Sequence, residues 1–210
     1  MTWKSWVAAF FPAALLLLIA YMITSFAIVG TVLAIYLLPV SLYRLFVAVY
    51  PLELGLSNMA EKRFSPWWAS HQIQLLYTAV PVLEAVLRMI PGLYSAWLRL
   101  WGSQIGSAVY WTPRMEIHDR GLLRIGDNVV FGHKVELYGH TVTLKRGRML
   151  LYTGVVTIGA GAFVGAGSRL APGVVVEPGA VVPIVTDLYM NARFPKEDSH
   201  ARPIGTPRPA

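Results

Sequence analysis

The sequence predicts a membrane-anchored α plus β-solenoid fold: an N-terminal helical hairpin, a set of apolar helices after it, and a parallel β-coil in the second half. The coil rests on a period of six. Between Ile125 and Val182 an aliphatic or aromatic residue recurs at Ile125, Phe131 and Leu137, then at Ile158, Val164, Leu170, Val176 and Val182. Four places after each anchor stands a small or β-branched residue, Val129, Val135, Thr141, Ala162, Ser168, Val174 or Ala180. Both columns face one interior, and the alternation between them is that of a strand followed by a corner. The third column after the anchor reads Asn128, Lys134, His140, Gly161, Gly167, Gly173 and Gly179. Glycine and asparagine tolerate positive φ, so this column marks the turn, and His140 is its anomaly.

The helical part is read from composition. Hydrophobic residues make up 55% of the 210 and charged ones 14%, and no charge falls between Ser5 and Tyr43. A span needs roughly 20 apolar residues, so residues 1–50 have room for two, with a turn near Thr24 and Ser25. One tilted span plus a core helix is the alternative. The run is too long for the apolar region of a cleaved signal peptide. Lys4 precedes it and Arg44, Lys62 and Arg63 follow, so a hairpin puts all four on one side and the basic flanks favour the cytoplasm. The inner (cytoplasmic) membrane is the expected location, with the coil facing the cytoplasm. The absence of cysteine excludes disulfides and thiol chemistry. The net charge of +7 fits a solvated surface with positive-inside bias or attraction to an anionic lipid or ligand; no nucleic-acid partner is expected.

Residues 51–105 hold a second apolar block, from Pro66 to Gly102, with Gln72, Gln74, Glu84, Arg88 and Arg99 interspersed. Pro81 and Pro91 should break it into short helices. Trp67, Trp68, Tyr77, Tyr94, Trp97 and Trp101 suit headgroup depth, which predicts interfacial helices. The same helices would also cap the first coil, as an open solenoid requires, and an apolar route for a lipid-linked acceptor is a further expectation. The coil is expected over 106–190 and a proline-rich extended tail over 191–210.

The hexads IGDNVV, FGHKVE, AFVGAG and SRLAPG, followed by VVVEPGAVV, resemble those of the hexapeptide-repeat acyltransferases, which fold as a left-handed parallel β-helix. An insertion breaks the repeat between Thr141 and Thr157, and a histidine stands just before it. That layout is similar to the capsule and exopolysaccharide O-acetyltransferases, in which such a histidine is the catalytic base; the resemblance maps it to His140. A histidine whose pKa lies near the working pH can take the proton of an acceptor hydroxyl as it attacks a thioester. Glu136, Asp119 and Asp127 are the carboxylates in nearby coils that could orient the ring, and Glu136 is the nearest in sequence. The resemblance further implies a homotrimer, with the arm of acetyl-CoA, or of an acyl carrier protein, along the groove between coils. Backbone N–H groups at Gly165 and Gly167 would then meet the thioester, and Lys145 and Arg146 the donor's phosphates. No bound cofactor is expected. The acceptor implied by the anchor is a lipid-linked or other membrane-associated glycan, or a lipid.

Two other readings compete. A γ-class carbonic anhydrase shares the helix and a Gly-His pair, matched by Gly132-His133, but the ligand expected five residues later is Tyr138, and only His133 and His140 can be assembled where zinc needs three. A non-catalytic membrane-tethered scaffold would favour an uninterrupted repeat.

Overall fold

The structure is a computed structural model that describes residues 2–25, 28–59 and 64–195. Helix α1 (Trp3–Ser25) runs up to the predicted turn, and α2 (Ile28–Tyr36) and α3 (Leu38–Val49) return in close succession. Lys4 Nζ donates to Tyr50 Oη at 2.9 Å, which brings the two ends of this hairpin together. By length and composition alone, Val29–Val49 is apolar enough to cross a bilayer, with mean hydropathy 2.1. Lys62 and Arg63, used above for orientation, lie outside the described residues, as does the tail from residue 196.

The prolines act as expected. Helix α4 (Pro66–Ala79) starts on an N-cap at Ser65, whose hydroxyl accepts from Trp68 N at 3.3 Å, and stops before Pro81. Helices α5 (Val82–Arg88) and α6 (Leu93–Leu100) flank Pro91. Five of the six aromatic residues expected at headgroup depth are turned into the core instead, and Trp68 is half-buried. Trp67, Tyr77, Tyr94, Trp97 and Trp101 are all buried, because they form the lid of the coil's core. Trp111 stacks on Phe131 at 4.9 Å and meets Tyr94 edge-on at 5.2 Å, which joins lid and coil in one cluster. Burial of such rings contributes about 2–3 kcal/mol each, and leaving an open coil end in water would forfeit it.

The coil is a parallel β-helix with three faces, each a ladder of short strands. Leu137 pairs with Ile117 below and Leu170 above, and Phe131 with Val164. The anchors point inward at 0% exposure for Phe131, Leu137, Val164, Leu170 and Val182, as their column requires. Ile158 pairs with Val176, 18 residues on, which is one turn of three hexads. Ile125 pairs with Ile158, 33 residues on, and the extra residues are the insertion. The ladder begins at Gln104–Ile105 and, among the described residues, ends at Arg193–Phe194, so the coil reaches slightly beyond both expected limits.

The turn column holds for Asn128, Lys134, Gly161, Gly167, Gly173 and Gly179, all with positive φ, and fails at His140. His140 is the first residue of a strand, His140–Lys145, that leaves the coil and returns as Arg148–Thr153. Arg146 and Gly147 form the tip with φ of 52° and 73°, the pair of left-handed residues a two-residue hairpin demands. The strand Gly55–Asn58, which follows α3, adds to the far edge of the returning strand.

Candidate active site

His140 is placed by the point at which the chain abandons its corner. Its Nδ1 lies 2.6 Å from Oδ2 of Asp119, which belongs to the preceding coil. The approach depends on Gly139: a Cβ there would stand 2.7 Å from the Asp119 Cβ and 2.9 Å from Leu122 Cδ1. Asp119 is buried, and its other oxygen accepts from Trp67 Nε1 at 3.1 Å. Burial alone would raise the pKa of this carboxyl, but the hydrogen bond and charge of His140 outweigh it, helped by His71 and Trp67, and the net shift is downward. An ionised carboxylate only accepts, so Nδ1 carries the proton, and in the neutral ring Nε2 is the nitrogen with the lone pair. The arrangement can serve as a base with its orienting group, and charge-assisted pairs of this kind contribute about 1.5–3 kcal/mol.

Two more histidines surround the pair. His71, one helical turn after Trp67, stacks on it at 5.4 Å and meets the His140 ring at 5.2 Å. Burial is the main reason its pKa falls to about 4, although the Asp119 charge works against that. His118 stacks on Tyr138 at 4.4 Å, and burial lowers its pKa too. Both shifts favour the neutral ring at these two positions.

Of the three carboxylates open to the sequence, the structure selects Asp119. Glu136 is wrongly placed for the role: the period-two alternation that buries Leu137 turns Glu136 onto the coil's outer face, where it accepts from the hydroxyl of Tyr138. Asp127 caps another corner through Ser107 N at 2.6 Å. The expected oxyanion donors are also spoken for. Gly165 N–H donates to Val182 O at 2.9 Å and Gly167 N–H to His133 O at 2.8 Å, because both belong to the stacking of coils. A Cβ on Gly165 would sit 2.5 Å from Ile184 N, so its lack of side chain serves coil packing. Lys145 and Arg146 lie at the hairpin tip, about 17 Å from His140 at the rise of a strand, outside the cavity beside it.

That cavity has a volume of about 300 Å³ and is lined by Tyr138, His140, Thr141, Arg169, Pro172, Asp187, Leu188 and Tyr189. It is at the small end of ligand pockets. Arg169 and Asp187 pair across successive coils on its wall at 2.5 Å. A larger cavity, about 630 Å³, lies between the α5–α6 turn and the first coil. Its cations are committed to carbonyl oxygens, Arg88 to Pro113 and Met115 and Arg99 to Ile105 and Gly106.

The donor atoms of His71, Asp119 and His140 lie within 4.8 Å of one another, a set a transition metal could use. His133 is not among them, so the pair assembled for the anhydrase reading is not the one the fold brings together. The hydrogen bond between Asp119 and His140 engages two of the three donors, so a metal would have to displace that proton.

Trp67 and His71 were not legible as site residues. Their spacing of four on one helix, which puts both rings on one face, was the available signal.

No protein-family model matches the chain, and no curated protein matches it in sequence. Among solved structures it is similar to a hexapeptide-repeat-containing acetyltransferase from Vibrio cholerae, with TM-score 0.43 and 15% identity over 57% of this chain and 85% of that one. A structure of that acetyltransferase with acetyl coenzyme A, from Vibrio cholerae O1 biovar eltor, gives TM-score 0.39 and 17% identity over 60% and 84%.

Proposed function

We propose that the chain is an acyltransferase that moves an acetyl group from acetyl-CoA to a hydroxyl of a membrane-associated glycan or lipid. The observation that carries this reading is the Asp119–His140 pair on the wall of a small cavity between coils. His140 Nε2 takes the hydroxyl proton as the oxygen attacks the thioester carbonyl carbon. A C–O bond forms, the C–S bond breaks, and the departing thiolate takes the proton back from the imidazolium, so the base is restored. Asp119 keeps the ring in the Nδ1–H form and stabilises the imidazolium.

Membrane attachment rests on the exposed apolar side chains of α1 and α2, among them Val7, Phe10, Leu17, Tyr21, Val29, Val32 and Leu33. A trimer has support in the hairpin: Val142 and Leu144 share His140's face of the strand, Met149 lies opposite Leu144, and the three are exposed at 44%, 72% and 49%. A neighbouring subunit laid on that face would close the site. The basic flank Lys4 and the joined hairpin ends favour a coil on the cytoplasmic side.

The test is mass spectrometry of lipids and lipid-linked glycans from cells with the chain and with His140→Ala. A species heavier by one acetyl group should appear only with the parent chain; its undiminished formation by the variant sinks the reading. The His71, Asp119 and His140 donor set favours a second one, a metal hydrolase, which stoichiometric zinc in the purified chain would support.

A further inference from the structure

We infer that the helical hairpin enters one leaflet only, so the chain is monotopic and its turn lies near the bilayer midplane. The inference rests on the membrane attachment proposed above and replaces the two spans that composition predicts. The coil's lid is bound along the middle of the stretch that composition marks as a span. Tyr77 Oη donates to Ile35 O at 2.5 Å, Trp97 Nε1 to Tyr36 O at 2.9 Å, and Tyr36 Oη to Leu83 O at 2.9 Å. Further along, Tyr43 packs on Trp101 with ring centroids 5.0 Å apart. Were Val29–Val49 to cross the bilayer, its midpoint would carry the lid and the first coil into hydrocarbon. With them would go the buried Glu84, held by Arg120 at 2.5 Å and Arg88 at 2.8 Å.

What remains free beyond the lid is the distal part of the hairpin. From Ile35 back to Ile28 is seven residues of helix, about 11 Å at 1.5 Å per residue, and the turn adds a few more. That reach is about half of a hydrocarbon core roughly 30 Å thick. Around the base of this part, the junctions beside Tyr77 and Leu83 expose Val80, Val82, Val86, Met89 and Ile90, apolar residues suited to the leaflet surface. The turn itself is written for hydrocarbon rather than for water on a far side. Residues 22–29 read MITSFAIV, without a charge. The Thr24 hydroxyl donates back to Tyr21 O at 2.9 Å, so it needs no outside partner.

One consequence concerns the acceptor. Helix α4 runs from Tyr77, beside Ile35, to Trp67, on which His140 rests with ring centroids 4.4 Å apart. Ten residues of helix separate those levels by about 15 Å. The reacting hydroxyl therefore stands well off the leaflet, as on a sugar carried by a lipid, and not at the depth of a glycerol backbone.

Because the chain lacks cysteine, single substitutions report cleanly. Full-length Thr24→Cys and, as a control on the coil, Val185→Cys are reconstituted in vesicles of phosphatidylethanolamine and phosphatidylglycerol and treated with a membrane-impermeant maleimide. Val185→Cys should react from outside in intact vesicles, whereas Thr24→Cys should resist labelling in intact and in alamethicin-permeabilised vesicles and react only once detergent dissolves the bilayer. Labelling of Thr24→Cys on permeabilisation alone would show a turn on the far side and overturn the monotopic arrangement while leaving attachment intact. Labelling in intact vesicles as fast as Val185→Cys would overturn attachment itself.

Discussion

Asp119→Asn should silence the proposed acyl transfer for a reason that a second substitution can partly undo. In the parent chain one carboxylate oxygen accepts from His140 Nδ1 at 2.6 Å and the other from Trp67 Nε1 at 3.1 Å, so both neighbours are donors. An amide offers only one acceptor. If its oxygen turns to Trp67, its NH2 faces Nδ1, and the imidazole is forced into the tautomer that carries its proton on Nε2 and has no lone pair for the acceptor. If the oxygen turns to His140, two N–H donors collide at the indole. Neutralising the carboxylate behind a catalytic histidine reduces kcat by up to about 10⁴ where this has been measured, and about 10³ is expected here. Trp67→Phe alone removes one hydrogen bond to a charged group and should cost about tenfold.

Independent effects would multiply to about 10⁴ in the double variant. The geometry says otherwise: with the indole N–H gone, the amide NH2 can occupy its side and the oxygen can return to His140. The double variant should therefore lie only about 10² below the parent, a coupling of about 2.7 kcal/mol. Release of coenzyme A thiol can be followed with a disulfide reagent at no protein background, since the chain has no cysteine. Activity of Asp119→Asn within threefold of the parent, or a double variant at or below the multiplied value with an unchanged thermal transition, would refute the account.

Gly139→Ala should lower kcat by about 10² while the coil persists, because its Cβ would meet Asp119 at 2.7 Å and spoil the alignment with His140; circular dichroism checks the fold. Glu136→Gln should leave kcat within about twofold, since Glu136 serves Tyr138 and not the base. Glu84→Gln should lower stability by about 3–5 kcal/mol in denaturant titration in detergent, as it leaves Arg120 and Arg88 without their shared buried carboxylate. The pKa of His71 falls from 6.5 to about 4 on folding, so between those values the unfolded chain holds the extra proton and stability drops as pH falls. That loss, up to about 3 kcal/mol, should shrink in His71→Phe when melting is compared at neutral and acid pH.

The period of six was sufficient for the coil because each inward column repeats one demand, a side chain that fills a three-faced interior beside its copy in the next coil. The same regularity misled at His140. The column count puts it at a turn, but a corner requires positive φ, and the hairpin that begins there pays no such cost because Thr153, Leu151 and Met149 lie across the ladder and supply it with partners. Its orienting carboxylate was one of three in the sequence, and proximity favoured the wrong one. Glu136 and His140 are four residues apart along a chain that turns a corner between them, whereas Asp119 is brought over Gly139 by the stacking of coils. Sequence distance measures contacts along a helix well and contacts between coils poorly. The aromatic residues of α4 and α6 failed for another reason: tryptophan and tyrosine suit a headgroup layer and a core lid equally, and only the exposed open end of the first coil decides between them.

The same lid explains why the carboxylate that meets His140 sits in the least regular part of the coil. Asp119 and Arg120 are both buried, and a hexad corner provides no partners for two charges. The helices provide them. Trp67 donates to Asp119, Gln74 accepts from Arg120 N at 2.8 Å, Ser103 donates to Arg120 O at 2.6 Å, and Glu84 meets the guanidinium. The corner is thus held from α4, from α5 and from the start of the coil, and none of these bonds lies in the ladder. A solenoid cut free of its helices would keep His140 and the coil that carries it, yet it would lose Trp67 and His71, which bury Asp119 and help His140 to hold it ionised. The proposed anchoring and the proposed catalysis therefore would not be separable modules: the helix whose far end meets the hairpin beside Ile35 is the one whose near end places Trp67 against His140.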